Sequence, residues 1–66
     1  MNKTQKELLK GLNVTILDSL AGYLLLKENG QETNYSIMDP SGSCPLTTGS
    51  EDTANKGWKI VMGGVR

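Results

Sequence analysis

The sequence predicts an α+β domain in which an N-terminal amphipathic helix packs on a small three-stranded antiparallel sheet. Three observations support this fold class. Apolar residues recur at helical spacing near the N-terminus, an Asn29-Gly30 dipeptide separates two strand-like segments, and alternation of apolar residues returns near the C-terminus. With 66 residues the chain is expected to form a single small domain, 1–66.

The first element is a helix predicted from residue 4 onward. Spacings of three and four residues, typical of a core-facing helix, connect Gln5, Leu9, Leu12, Ile16 and Leu20. Thr4 followed by Glu7 matches a capping box, which places the start of the helix here. Weak helix formers fill the segment from Gly11 to Thr15, so the prediction holds for the first half only. The main alternative for the second half is a fourth strand at 14–18.

The second element is a β-hairpin with strands at 23–28 and 31–38. Asn29-Gly30 favours a two-residue type I′ turn, in which both residues have positive φ. Such a turn places Lys27 opposite Glu32, a favourable pair of charges. A helix running up to Asn29 is the alternative, but it leaves the period-two pattern after Gly30 unexplained. The sequence therefore predicts hairpin 23–38 with positive φ at Gly30.

The third strand is predicted at 57–62, after a long polar segment. Proline, glycine and small polar residues dominate the segment before it, which predicts a flexible loop at about 40–56. Trp58, Ile60 and Met62 then alternate with other residues, as in a strand. A glycine pair, Gly63-Gly64, is expected to end that strand.

Composition excludes several classes of function. Seven basic and seven acidic side chains cancel, so the chain offers no general attraction for phosphate and a nucleic-acid partner is not expected. The single cysteine and the absence of histidine predict no disulfide, no metal site and no cofactor. No segment has the length of an apolar membrane span, so no membrane contact is expected. One unpaired cysteine is typical of a reducing compartment, and the expected localisation is cytoplasmic.

No residue pattern in the chain indicates catalysis. Cys44 is the one candidate nucleophile, but no histidine is present to serve as its base. We therefore expect the protein not to be an enzyme. A small enzyme or carrier that uses Cys44 or Gly63-Gly64 is kept as an alternative.

The remaining class is a non-enzymatic protein-interaction module. A domain of this size without a disulfide or a metal usually gains stability by self-association, so a homo-oligomer and an unidentified protein partner are expected. The candidate interaction surface consists of aromatic and aliphatic residues on the predicted strands: Tyr23, Leu25, Tyr35, Trp58 and Val61. The alternative is a small nucleic-acid binder, with the lysine-bearing helix on phosphate and the hairpin as a wing.

Overall fold

The structure, a computed structural model, describes residues 1–64 and contains two helices and one antiparallel sheet. The sheet has four strands in the order β1-β2-β3-β4, so each strand pairs with its neighbour in the chain. The predicted α+β class is confirmed, with four strands instead of three. In chain order the elements are α1 (Lys3–Leu9), β1 (Val14–Leu20), β2 (Tyr23–Asn29), β3 (Thr33–Met38), β4 (Leu46–Thr48) and α2 (Glu51–Gly64).

The N-terminal helix α1 is short because strong helix formers end before residue 11. It begins with a capping box between Asn2 and Gln5, not between Thr4 and Glu7 as the sequence predicts. The Asn2 side chain accepts a hydrogen bond from the Gln5 N–H at 2.8 Å, and Gln5 Oε1 accepts one from the Asn2 N–H at 3.1 Å. Lys10 already has extended backbone angles. The chain then enters β1, which confirms the alternative of a strand at 14–18.

The tight turn of the sheet joins β1 to β2 and not β2 to β3. Ala21 and Gly22 have φ of 53° and 85°, the pair of positive values that defines a two-residue type I′ turn. Hairpin 23–38 is present, but Asn29 pairs with Thr33, so its loop contains three residues. The predicted pairing of Lys27 with Glu32 is therefore wrong, since Lys27 faces Tyr35.

Asn29 explains this difference in register. Its N–H donates to the Asn13 carbonyl at 2.8 Å and its side-chain amide donates to Thr15 Oγ1 at 2.9 Å. These bonds to the segment on the other side of β2 hold Asn29 at the end of the strand and out of the turn. Gly30 consequently is not among the residues with positive φ, against the prediction.

The predicted strand at 57–62 is wrong, because these residues belong to α2. Ala54, Trp58 and Met62 lie four residues apart and form the buried stripe of the helix, while Ile60 is 77% exposed. The Ser50 hydroxyl accepts a hydrogen bond from the Thr53 N–H at 3.2 Å and begins the helix. The segment predicted as a loop at 40–56 therefore contains β4 and the first turn and a half of α2.

The core lies on both faces of the two central strands. On one face Leu25, Tyr35 and Ile37 pack against α2. On the other face Leu24, Leu26 and Met38 form a second cluster with Leu9 of α1. Because successive residues of a strand point to opposite faces, the run Leu24–Leu26 serves both clusters. The two helices therefore cover opposite faces of β2 and β3.

Candidate interaction surface at the exposed edge strand

The edge strand β1 is exposed on both faces of the sheet. Every residue from Thr15 to Leu20 is exposed, including three large aliphatic side chains: Ile16 at 42%, Leu17 at 46% and Leu20 at 50%. Within residues 1–64, β1 pairs with β2 alone. Folded proteins usually protect an edge strand with lysine, proline or a covering element. β1 contains neither residue type, and its exposed side chains show that no described helix covers it.

The backbone of β1 is open to a further strand at its N-terminal half. Asn13 accepts the hydrogen bond from Asn29, so its carbonyl points toward β2. Positions in an antiparallel pair alternate between those that exchange hydrogen bonds with the neighbour and those that do not. The N–H and C=O groups of Val14 and Ile16 therefore point away from β2, toward the open edge.

The C-terminal half of β1 is closed by a bulge and by its own carboxylate. Ile16 faces Leu26 and Asp18 faces Leu25, so Leu17 is the extra residue of a β-bulge. Asp18 Oδ1 accepts a hydrogen bond from the Ser19 N–H at 2.8 Å. Its other oxygen, Oδ2, accepts one from Trp58 Nε1 at 3.1 Å. The open part of the edge is thus limited to residues 14–16.

A shallow groove of about 390 Å³ adjoins this open segment. Leu12 continues the exposed apolar surface toward the groove, with 57% of its area accessible. We use the name β1 edge surface for the open backbone of residues 14–16 together with the side chains of Leu12, Ile16, Leu17 and Leu20. The lining of the groove consists of the side chains of Lys6 and Lys10 and of Met1, Leu9, Leu12, Val14 and Ile16.

The interaction surface that the sequence predicts lies in the core instead. Leu25, Tyr35 and Trp58 are only 5–8% exposed, and Tyr23 and Val61 are half-buried against the same cluster. The structure therefore brings all five residues together, but beneath α2. The prediction of a surface is wrong for the three buried residues because 57–62 is a helix.

Cys44 and Gly63-Gly64, the residues considered for catalysis or for a carrier function, lie in surroundings that do not activate them. Cys44 is exposed in the loop between β3 and β4. Partial burial of the thiol raises its pKa, and the negative charges of Glu28 and Asp39 raise it further, so the thiol stays protonated at neutral pH. Gly63 and Gly64 are the last residues of α2. Residues 1–64 contain no group of three or more histidine, cysteine, aspartate or glutamate side chains placed to hold a metal ion.

Comparisons of the chain with protein-family models, with curated proteins and with solved structures gave no match. Among the described residues, no helix has the length and apolar character needed to cross a membrane.

Proposed function

We propose that the protein is a non-enzymatic interaction module that self-associates and binds protein through the β1 edge surface. The observation that supports this proposal is a seven-residue edge strand exposed on both faces while it carries Ile16, Leu17 and Leu20. Addition of a strand to such an edge gains affinity from backbone hydrogen bonds and specificity from the flanking side chains. In this protein the apolar side chains beside residues 14–16 supply the specificity.

The dimensions of the edge suit a protein partner. The open backbone of residues 14–16 is ~10 Å long at about 3.3 Å per residue, and the exposed side chains of Leu12, Leu17 and Leu20 extend the surface beyond it. The molecule measures 33 × 28 × 16 Å along its principal axes. A standard interface buries about 800 Å² per partner. That area is just under a fifth of the 4339 Å² surface of this chain.

Catalysis by the one thiol has less support. A nucleophilic cysteine needs a neighbouring base or positive field to form the thiolate. Cys44 has negative neighbours, and the sequence contains no histidine. The nucleic-acid alternative depends on Lys3, Lys6 and Lys10, which are exposed on or just after α1 in a chain of zero net charge.

The experiment is sedimentation equilibrium from micromolar to millimolar concentration, with Ile16→Lys as the test variant. Lysine at an edge position blocks strand pairing because its charge must be buried on association. The wild type should exceed its monomer mass of 7.1 kDa, and Ile16→Lys should shift the distribution to monomer. Ile60→Lys is the matched control, since Ile60 is 77% exposed on α2, and it should behave as the wild type.

A salt series separates the protein-binding proposal from nucleic-acid binding. Phosphate-dominated binding falls steeply as salt rises, whereas an apolar contact between protein chains changes little. A wild-type monomer at every concentration would refute self-association. An oligomer that persists in Ile16→Lys but not in Ile60→Lys would place the contact away from β1.

A further inference from the structure

We infer that the β1 edge surface is occupied by a second copy of the chain, paired antiparallel β1 to β1 about a two-fold axis at Thr15. This inference rests on the proposed function and specifies both its partner and its register. The result would be a continuous eight-stranded sheet formed from two four-stranded sheets. The register follows from three features of the edge: the open backbone groups, the bulge and the end of α1.

The open backbone groups admit a symmetric pairing. In an antiparallel pair, two residues that both face the gap exchange their N–H and C=O groups with each other. With the axis at Thr15, Val14 lies opposite Ile16 of the partner subunit, and Ile16 lies opposite Val14 of the partner subunit. Both open residues of both chains are then hydrogen-bonded. Thr15 meets Thr15 of the partner subunit in the closer, non-hydrogen-bonded type of pair.

Neighbouring symmetric registers fail on this chain. An axis at Val14 sets Ile16 against Leu12 of the partner subunit, but the Leu12 N–H already donates to the Leu9 carbonyl at 3.1 Å. An axis at Ile16 sets Val14 against Asp18 of the partner subunit, which lies beyond the bulge and pairs with Leu25. The Thr15 register alone uses the open groups without disturbing an existing bond.

Side chains and charge support a second copy as the occupant. Val14, Thr15 and Ile16 are all β-branched, and such residues pack well across paired strands. The segment is close to symmetric about Thr15, so each copy presents what the other requires. Asp18 is the single charged residue of β1 and lies away from the axis, so the pairing sets no like charges opposite each other. The zero net charge of the chain adds no long-range repulsion between copies.

The groove beside the edge gives a further reason. Val14 and Ile16 line it together with Leu9 and Leu12, so the groove lies on the same side of the sheet as the proposed Val14–Ile16 contacts. Lys6 and Lys10 also line it, and both are exposed, so water and salt screen their charges. A two-fold axis at Thr15 brings the groove of the partner subunit alongside this one. The exposed Leu12 side chains then lie near the interface, where part of their area is removed from water.

The test is disulfide cross-linking of Thr15→Cys in a Cys44→Ser background, under a mild thiol oxidant. Opposed residues in a non-hydrogen-bonded pair have Cα atoms about 4.5 Å apart, within the ~4.4–6.8 Å range that a disulfide spans. Thr15→Cys should form a covalent dimer nearly completely at low protein concentration. Ser19→Cys in the same background is the matched control on the same strand, and it should cross-link many-fold more slowly. The reduced Thr15→Cys variant keeps the backbone groups of residues 14–16 but loses the hydrogen bond from the Asn29 side chain to Thr15 Oγ1, so circular dichroism of the reduced variant must first show the wild-type fold.

The outcomes distinguish this inference from the proposed function. Oligomers that are sensitive to Ile16→Lys, with faster cross-linking at Ser19→Cys than at Thr15→Cys, would leave the edge contact standing and overturn the register. A monomer by sedimentation, with no cross-linking above the rate of random collision at either position, would overturn both. Rapid dimer formation at Thr15→Cys that Ile16→Lys suppresses would support both.

Discussion

Replacing Gln5 by alanine should detach α1 from the sheet, because this side chain is the main polar tie between them. Gln5 has no exposed surface. Its Nε2 donates to the Gly22 carbonyl at 2.7 Å and to the Asp39 carbonyl at 2.9 Å. Its Oε1 accepts from the Asn2 N–H and completes the capping box. One side chain thus connects the helix start, the β1–β2 turn and the end of β3.

The magnitude follows from these three hydrogen bonds. Each contributes about 1 kcal/mol net, and a buried carbonyl left without a donor costs about 1–3 kcal/mol. Gly22 is in an exposed turn, where water replaces the lost donor, so the larger penalty applies to one carbonyl at most. We expect Gln5→Ala to lower the free energy of unfolding by about 2–4 kcal/mol. A domain of 66 residues has ~3–10 kcal/mol in total, so the loss is large.

Gln5→Glu tests the donor role directly. Glutamate keeps the oxygen that accepts from the Asn2 N–H but turns a carboxylate oxygen toward two carbonyl oxygens. At neutral pH this variant should be at least as unstable as Gln5→Ala. Burial beside carbonyls raises the pKa of the new carboxyl above its unfolded value, so the penalty is present at high pH and falls as pH drops through the folded pKa. Gln5→Glu should therefore gain stability relative to Gln5→Ala in acid.

Urea denaturation monitored by the fluorescence of Trp58, the single tryptophan, measures these changes. Gln31→Ala is the matched control, because Gln31 is exposed in the β2–β3 loop and should change stability by less than ~0.5 kcal/mol. A loss below about 1 kcal/mol in Gln5→Ala would contradict the assigned role. So would a Gln5→Glu variant as stable as the wild type at neutral pH.

Two further predictions concern the other helix and the loop after β3. In a thermal melt, Gly57→Ala should destabilise the fold by up to about 2 kcal/mol, since the added Cβ would lie 2.5 Å from a methyl group of Leu46, which must move. Gly63→Ala should instead be neutral or stabilising by up to ~1 kcal/mol in the same melt, because among the described residues no side chain beyond its chain neighbours and no atom outside α2 lies within 4 Å of the added Cβ. The Ser41 hydroxyl and nearby backbone amides lower the pKa of Asp39, so its contribution to stability is present above the unfolded pKa of ~3.9 and is lost as pH falls through the lower folded pKa. The melting temperature of Asp39→Asn should therefore fall less than that of the wild type when the pH is lowered through that range. If the melting temperatures of the two proteins fell equally, the stabilising role assigned to the ionised Asp39 would be contradicted.

The sequence predicts the elements whose patterns are local and unambiguous. Alternation through Thr33, Tyr35 and Ile37 predicts β3, and the β-branched run at the start of β1 favours the strand that the structure contains. The short segment from Trp58 to Met62 fits both periods, since its first and last residues are four apart as well as alternating. Ala54, a further four residues back, is the signal that identifies the helix.

The register and the interaction surface depend on contacts between distant residues. Asn29-Gly30 is a strong turn signal, yet bonds from Asn29 to Asn13 and Thr15 keep it in β2. In the sequence, Ile16 fits the spacing of a helical stripe and also the pattern of a strand, and local sequence does not decide between the two. Its exposure follows from the position of β1 at the edge of the sheet, which no local pattern encodes.

The order of the elements has a consequence for synthesis on the ribosome. Strands β1 to β4 all precede α2 in the chain, and each pairs with its immediate neighbour. A hairpin forms in about 1–10 μs. At ~5–20 residues added per second, synthesis of the 14 residues of α2 takes about 1–3 s. Until α2 packs on the sheet, the face that carries Leu25 and Ile37 has no helix to cover it.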